Sequence, residues 1–358
     1  MRGGFVIRDH PCHRRGVPDN IAATLLDWYD LNARDLPWRA RPGANATDPY
    51  RVWLSEVMLQ QTQVATVIPY FEKFTARWPD FAALAAEEDA EVMSAWAGLG
   101  YYARARNMLA CAREVARLGA IPDTEAELLR LPGVGGYTAA AVAAIAFGRR
   151  AVVVDGNVER VVSRLFALSD PLPGAKPQIR ALTDSITPDA RAGDFAQAMM
   201  DLGATICTAR SPRCLLCPLR SACAAFAGGA PETFPVKTKK AAKPQRYGTL
   251  FWFERDGQVL LVQRPDKGLL GGMRALPTGP WVESPPGIEG APVAVEWRIL
   301  GSGITHVFTH FRLDCALAVA TIGAQEAVQG IWWPVAEIES AGLPTVFAKA
   351  VEAIRRAR

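Results

Sequence analysis

Four of the seven cysteines, Cys207, Cys214, Cys217 and Cys223, fall within seventeen residues in the pattern C-x6-C-x2-C-x5-C. Thiolates drawn from one short segment need little loop closure to surround a common centre, so the spacing points to a metal site. A four-cysteine zinc knuckle usually has two C-x2-C pairs, and only one exists here; a [4Fe–4S] cluster is the better fit. Four protein ligands leave no open coordination position, which makes its role structural. Arg210, Arg213 and Arg220 lie between the ligands and make that loop basic, suited to resting on phosphates. A second pattern is the run Leu131–Ala139, a glycine turn entering an apolar helix. Gly133 and Gly135 let the backbone approach a ligand, and the N–H groups of the following helix form an anion site. Many helix pairs use such a turn, so alone it names no ligand. A third is Asp155, which ends the apolar run Ala151–Val154 at the mouth of a helix. It reads as a helix cap, as a functional carboxylate held in a fixed direction, or as both.

These groups must be positioned by a helical domain. From Ile21 to Phe226 the apolar periodicity is helical, with Gly and Pro punctuation at Trp78-Pro79 and Ile121-Pro122. Val158, Val161, Val162, Leu165 and Phe166 line one helix face, and Asn157 stands where an N-cap is expected. Residues 227–246 change to Gly, Pro, Thr and Lys, with five Lys and Arg against one acidic residue, and they read as a basic linker. The rest of the chain is close to neutral within the formal net charge of +4, so nucleic-acid contact has to come from local clusters. After Tyr247 the pattern becomes strand-like. Gly248–Phe253, Asp256-Gly257 and Val259–Val262 predict a hairpin, Phe311–Ala320 a later strand, and Val346–Ala357 a closing helix.

Half of the 358 residues are apolar and 21% are charged, ample for two packed domains and unlike a disordered chain. The longest apolar run, Ala139–Phe147, falls short of the roughly 20 residues a spanning helix needs. Met1–Pro18 has no apolar core and reads as an extension, not a signal peptide. The expectation is a cytosolic protein with no membrane association. The chain divides into four segments: residues 1–20 an N-terminal extension, 21–226 a helical domain with the cysteine loop, 227–246 the linker, and 247–358 an α+β domain.

The sequence resembles the helix-hairpin-helix glycosylase superfamily, and within it the adenine DNA glycosylase family, from Leu25 into the C-terminal domain. The resemblance is carried by Trp53–Gln63 (WLSEVMLQQTQ), Gly98–Asn107 (GLGYYARARN), the glycine hairpin, Val154–Val158 (VDGNV) and the four cysteines. It implies a bacterial, cytosolic, monomeric enzyme acting on duplex DNA that holds A:8-oxoguanine or A:G mispairs. Glu56 resembles the general acid that protonates adenine, a task that needs a raised pKa, which its apolar neighbours supply. Asp155 would then stabilise the oxocarbenium-like sugar. Tyr137 stands where the strand-nicking relatives of endonuclease III type carry a lysine able to form a Schiff base, so a monofunctional enzyme is implied. Tyr137 and Asn157 would flank Asp155. Arg34, Trp38, Arg39, Leu59, Gln61 and Gln197 would lie around the extruded adenine or the gap it leaves, with Gln61 and Tyr101 as wedges and Gly133 and Gly135 at a phosphate. Trp38 and Leu59 read equally well as ordinary core, and some family members carry Glu where Gln197 stands.

The C-terminal domain resembles a Nudix fold through Gln263-Arg264-Pro265 and Gly271-Gly272-Met273. The acidic run that would hold Mg2+ is missing, which leaves binding and not hydrolysis. Phe308, Thr309 and His310 resemble the family's Phe-Ser-His loop that meets 8-oxoguanine, with Thr in place of Ser.

Overall fold

The computed structural model describes residues 21–44, 47–238, 243–265, 268–321 and 328–357. The expected N-terminal extension, and Lys239 and Lys240 of the basic segment, lie outside the described residues. The chain forms two compact units, Met1–Lys239 and Lys240–Arg358.

The first unit is helical, and three of its helices, Pro49–Met58, Gly136–Phe147 and Ala192–Thr205, are buried over most of their surface. Pro49–Met58 starts at an N-cap Asp48, whose side chain accepts from Tyr50 N at 2.9 Å, and Pro49 pre-sets the first turn. From Val52 to Met58 every residue of this helix is buried, including Ser55 and Glu56. Gly136–Phe147 is almost entirely small and apolar, with Thr138–Ala144 buried, and small side chains let neighbouring backbones come close. The Ala192–Thr205 helix uses this closeness twice. A Cβ at Gly193 would stand 2.4 Å from Ala144 O, and one at Gly203 would stand 2.5 Å from Asn157 Cβ. These glycines set how near that helix lies to the segments around Asp155.

The helix Gly156–Leu165 buries Val158, Val161, Val162 and Leu165 as expected, with Phe166 half-buried against the same core. Its N-cap is Asp155 and not Asn157. Asp155 holds extended backbone and its side chain takes the first free N–H groups; Asn157 is already inside the helix. Residues 227–238 of the expected linker are anchored along part of their length. Leu172 N donates to Val236 O at 2.8 Å and Arg164 Nε to Phe234 O at 3.2 Å, so this stretch is hydrogen-bonded to the helical unit.

The second unit is a mixed sheet with a closing helix. Its strands are β1 Gln245–Arg255, β2 Gln258–Gln263, β3 Arg274–Ala275, β4 Arg298–Ile299, β5 Ile304–Val307, β6 Arg312–Thr321 and β7 Ile331–Pro334. The order is β3-β2-β1-β6-β4, with β5 on β6 and β7 on β2. β1 and β2 make the expected antiparallel hairpin, and Asp256 and Gly257 both have positive φ, as a two-residue turn matching strand twist requires. β1 and β6 run parallel from Gln245↔Arg312 to Glu254↔Thr321. Side chains alternate along β1, so Leu250 and Trp252 enter one core and Phe253 another. The helix Thr345–Arg356 closes the larger core with Val346, Phe347, Ala350, Val351 and Ile354. Lys243 Nζ donates to Phe308 O at 2.6 Å and Arg246 pairs with Glu283 at 3.1 Å, so two cations of the basic segment are engaged inside this unit.

Candidate active site

Glu56 sits on the buried Pro49–Met58 helix, with the Tyr137 hydroxyl donating to its Oε2 at 2.6 Å. Burial pushes its carboxyl up to about 7; the Tyr137 hydrogen bond and Arg39 oppose the rise, and the charge of Asp155 adds to it. Tyr137 is held well above the usual tyrosine range by burial and by the charges of Glu56 and Asp155, so it acts as a neutral donor. A carboxyl that titrates near neutrality beside a second acidic group suits acid catalysis.

Asp155 supplies that second group through its cap. Oδ1 accepts from Asn157 N at 2.9 Å and Val158 N at 2.7 Å, and Oδ2 accepts from Asn157 Nδ2 at 2.8 Å. Three donors at a helix N-terminus fix the direction of a carboxylate. Asn157 is itself held, because Arg160 Nη2 donates to its Oδ1 at 2.8 Å.

Glu56, Tyr137, Asp155 and Asn157 line one cavity of about 810 Å3, ample for a purine and part of a sugar. Arg34, Trp38, Arg39, Leu59, Gln61, Gly133, Gly135 and Gln197 line it as well. Tyr101 does not; it is exposed and stands outside the lining. Trp38 is both core and wall, buried against Phe71 with ring centroids 5.3 Å apart and still facing the cavity. Gly133 needs glycine on two counts, a φ of +71° and a Cβ position 2.6 Å from Asn107 Cβ. Gly135, by contrast, is the N-cap of Gly136–Phe147 and has open space where a Cβ would be, as a backbone that meets an outside ligand would.

Part of the cavity wall is charged. Asp201, fully buried, accepts from Arg34 Nε at 2.7 Å, Arg34 N at 3.0 Å and Arg39 Nη1 at 2.6 Å. The two arginines are therefore fixed by one carboxylate and keep other N–H donors for the cavity.

The cysteine loop is built from short turns, Cys214–Leu216 and Arg220–Ala222, followed by the helix Ala224–Ala227. The four thiols lie within electrostatic reach of one another. Among the described residues no three His, Cys, Asp or Glu side chains converge to the spacing that holds a single metal ion. Arg164, buried in the helix Gly156–Leu165, donates to Cys207 Sγ at 3.3 Å and Thr208 O at 2.7 Å. Arg160 donates to Cys207 O at 2.7 Å.

In the sheet unit, Phe308 is the anchor of the loop between β5 and β6. Its ring stacks on Trp281 at 5.5 Å and meets Phe311 at 4.8 Å and His306 at 4.5 Å, and its N–H closes the loop onto Phe311 O at 2.9 Å. Thr309 and His310 are left exposed at the tip.

Residues 54–186 match the HhH-GPD superfamily base excision DNA repair protein family, and residues 249–353 match the NUDIX domain. The human adenine DNA glycosylase is 36% identical over 91% of this chain and 72% of its own length. The adenine DNA glycosylase of Mycolicibacterium smegmatis is 44% identical over 62% of this chain and 73% of its own length. The chain belongs to the adenine DNA glycosylase family. A thermostable thymine-DNA glycosylase structure superposes on 58% of this chain and 95% of its own, with a TM-score of 0.52 and 30% identity. The fold is thus a helix-hairpin-helix glycosylase unit followed by a Nudix-like unit, and the protein is a DNA N-glycosylase of base excision repair.

Within this adenine DNA glycosylase family member, sequence reasoning missed Asp201, Arg160 and Arg164. Each acts through contacts between residues distant in the chain. The one local hint was an acidic or basic residue on an otherwise apolar helix face, as Asp201 is in Ala198–Leu202.

Proposed function

We propose that this enzyme extrudes adenine from DNA duplexes in which it faces 8-oxoguanine or guanine, and hydrolyses its N-glycosidic bond without cutting the strand. The observation that carries this reading is the pair of carboxyl groups on one cavity: Glu56, buried and pushed up to about 7, and Asp155, fixed at a helix cap. At neutral pH a substantial fraction of Glu56 holds its proton and can deliver it to a ring nitrogen of adenine. The protonated base leaves with the bonding electrons, and positive charge grows on the sugar. Asp155, oriented by Asn157 and Val158 N–H groups, balances that charge. Tyr137 keeps Glu56 aimed by donating to one carboxyl oxygen. The oxygen of a water then bonds to the sugar C1′, its proton passes to the Glu56 carboxylate or to solvent, and an abasic site is left.

Arg39, Arg34 and Gln197 present donors and an amide to the base edge, while Trp38 and Leu59 supply apolar wall. Gln61 and Tyr101, both exposed, would fill the vacated stack. No lysine occurs among the described residues lining the cavity, which favours hydrolysis over Schiff-base chemistry. Thr309 and His310, carried on the anchored Phe308 loop, would read 8-oxoguanine. Both units belong to one working enzyme in this reading, acting on duplex DNA as a monomer; among the described residues no helix is long and apolar enough to cross a membrane.

Cys207, Cys214, Cys217 and Cys223 would hold a [4Fe–4S] cluster. Four thiols drawn from one short loop and within electrostatic reach of one another are the donor set such a cluster takes. Bound there, the cluster would supply no step of the hydrolysis, only a braced basic loop.

The test uses duplexes with adenine opposite 8-oxoguanine, each sample divided and half treated with hot alkali. Strand breaks only in the alkali-treated half support the proposal. Breaks in both halves point to a lyase, and breaks in neither to a binding protein.

A further inference from the structure

Two exposed turns of the helical unit carry side chains in the left-handed backbone region, Gln61 with φ 57° and Tyr101 with φ 48°. That region is sparsely populated for residues other than glycine and persists where surroundings hold it. Gln61 follows the C-terminus of the Pro49–Met58 helix, and Tyr101 precedes the helix Ala103–Leu118. The two turns are 40 positions apart in sequence, and one side chain touches both.

That side chain is Arg104. Its Nη1 donates to Met58 O at 3.0 Å, Val57 O at 3.3 Å and Gln60 O at 2.5 Å, gathering the free carbonyl end of one helix. Its Nη2 donates to Thr62 Oγ1 at 3.1 Å, just past Gln61, and to Leu99 O at 3.0 Å and Gly100 O at 3.5 Å, just before Tyr101. The guanidinium also lies 5.7 Å from the centroid of the Tyr101 ring. Trp96 Nε1 donates to Gly100 O at 2.9 Å and gives the second turn an independent brace. Four N–H donors on the two terminal nitrogens of one rigid plane can bridge two turns in this way, whereas the ammonium of lysine is a single point.

We infer that Arg104 is a positioning residue that joins the Gln61 and Tyr101 turns into one two-pronged wedge, so that both side chains enter the base stack in fixed register. The inference rests on the reading of Gln61 and Tyr101 as wedges. A wedge acts on extrusion of the nucleotide and not on proton transfer, so loss of the joint must appear in the first step alone.

Arg104→Lys keeps the charge and loses the fork. Extrusion is followed by fluorescence of 2-aminopurine placed at the adenine position. Base release is measured in single turnover on two duplexes, one with adenine opposite 8-oxoguanine and one with adenine opposite an abasic-site analogue, where unstacking costs less. The expected result is a loss of about tenfold or more in extrusion, and in release from the paired duplex. Release from the abasic-site duplex should stay within about threefold of the parent, and the pH dependence of release should not move. Normal extrusion in Arg104→Lys, or an equal loss on both duplexes, overturns the inference. Thr62→Val removes a single strut; if Arg104→Lys does not fold, this variant must still lose several-fold on the paired duplex only, and no loss there sinks the idea. Gln61→Ala and Tyr101→Ala separate the two layers. If both extrude normally, the wedge reading itself fails; if they are impaired while Arg104→Lys is normal, only the role of Arg104 fails.

Discussion

The Tyr137 hydroxyl and the Glu56 carboxyl share a hydrogen bond of 2.6 Å in a buried wall, although 81 positions separate them in sequence. The bond favours the charged form of Glu56 and so restrains the rise that burial causes. Tyr137→Phe removes that restraint. The Glu56 pKa should climb further, and the alkaline limb of the rate profile should shift to higher pH. Loss of aim should lower the maximal rate by about tenfold or less, the worth of one hydrogen bond. A limb that stays in place or moves toward acid contradicts this role.

Glu56→Gln should bind mispaired duplex like the parent and release adenine at least about a hundredfold more slowly, the usual range for removing a general acid. It should also change stability with a definite sign. The folded pKa of about 7 lies above the ordinary 4.5, so the folded protein holds this proton where the unfolded chain has lost it. The stabilisation is complete below pH 4.5 and disappears as pH rises through 7, a difference of up to about 3 kcal/mol. Glu56→Gln should therefore melt higher than the parent at pH 8, with the gap closing near pH 4.5. An equal gap at both pH values would show that burial of Glu56 charge is not the cause.

Asp155→Asn separates capping from catalysis. Asn caps helices as well as Asp, so unfolding free energy should change by about 1 kcal/mol or less. Base release should fall by about a hundredfold or more, because the amide cannot balance a sugar cation. A variant that is strongly destabilised but catalytically normal per folded molecule would reduce Asp155 to a cap.

What could be read from the sequence was whatever local spacing encodes. The cysteine pattern, the Gly133 turn and the Asp256-Gly257 hairpin are all set by residues a few positions apart. The sequence left the cap of the helix Gly156–Leu165 between Asp155 and Asn157, because both are good cap residues two apart and only the backbone decides between them. In the fold both contribute, since the Asn157 amide donates back to Asp155. Arg34 and Arg39 were legible as cavity residues, but their shared anchor Asp201 lies more than 160 positions away. Arg164 looked like one more basic residue of an amphipathic helix; its burial under the cysteine loop follows from packing that no local pattern records. The basic segment was legible as a linker, but the pairing of Lys243 and Arg246 with distant groups is likewise invisible in the chain.

The purified protein should be yellow-brown and contain about four irons per chain. Cys214→Ser should lower iron content and duplex affinity together while leaving the Glu56 titration where it is. One zinc per chain and no iron, in fully active protein, would remove the cluster from the account.

The central claim is that a protonated Glu56 starts the reaction, and its titration is the most direct test. Single-turnover release of adenine from a duplex with 8-oxoguanine opposite should be measured from pH 5 to pH 9. The rate should be level in acid and fall above about pH 7, approaching about tenfold per pH unit, with the fall absent from the residual activity of Glu56→Gln. A rate that holds steady or climbs through pH 9 would mean that another group, or none, protonates the base.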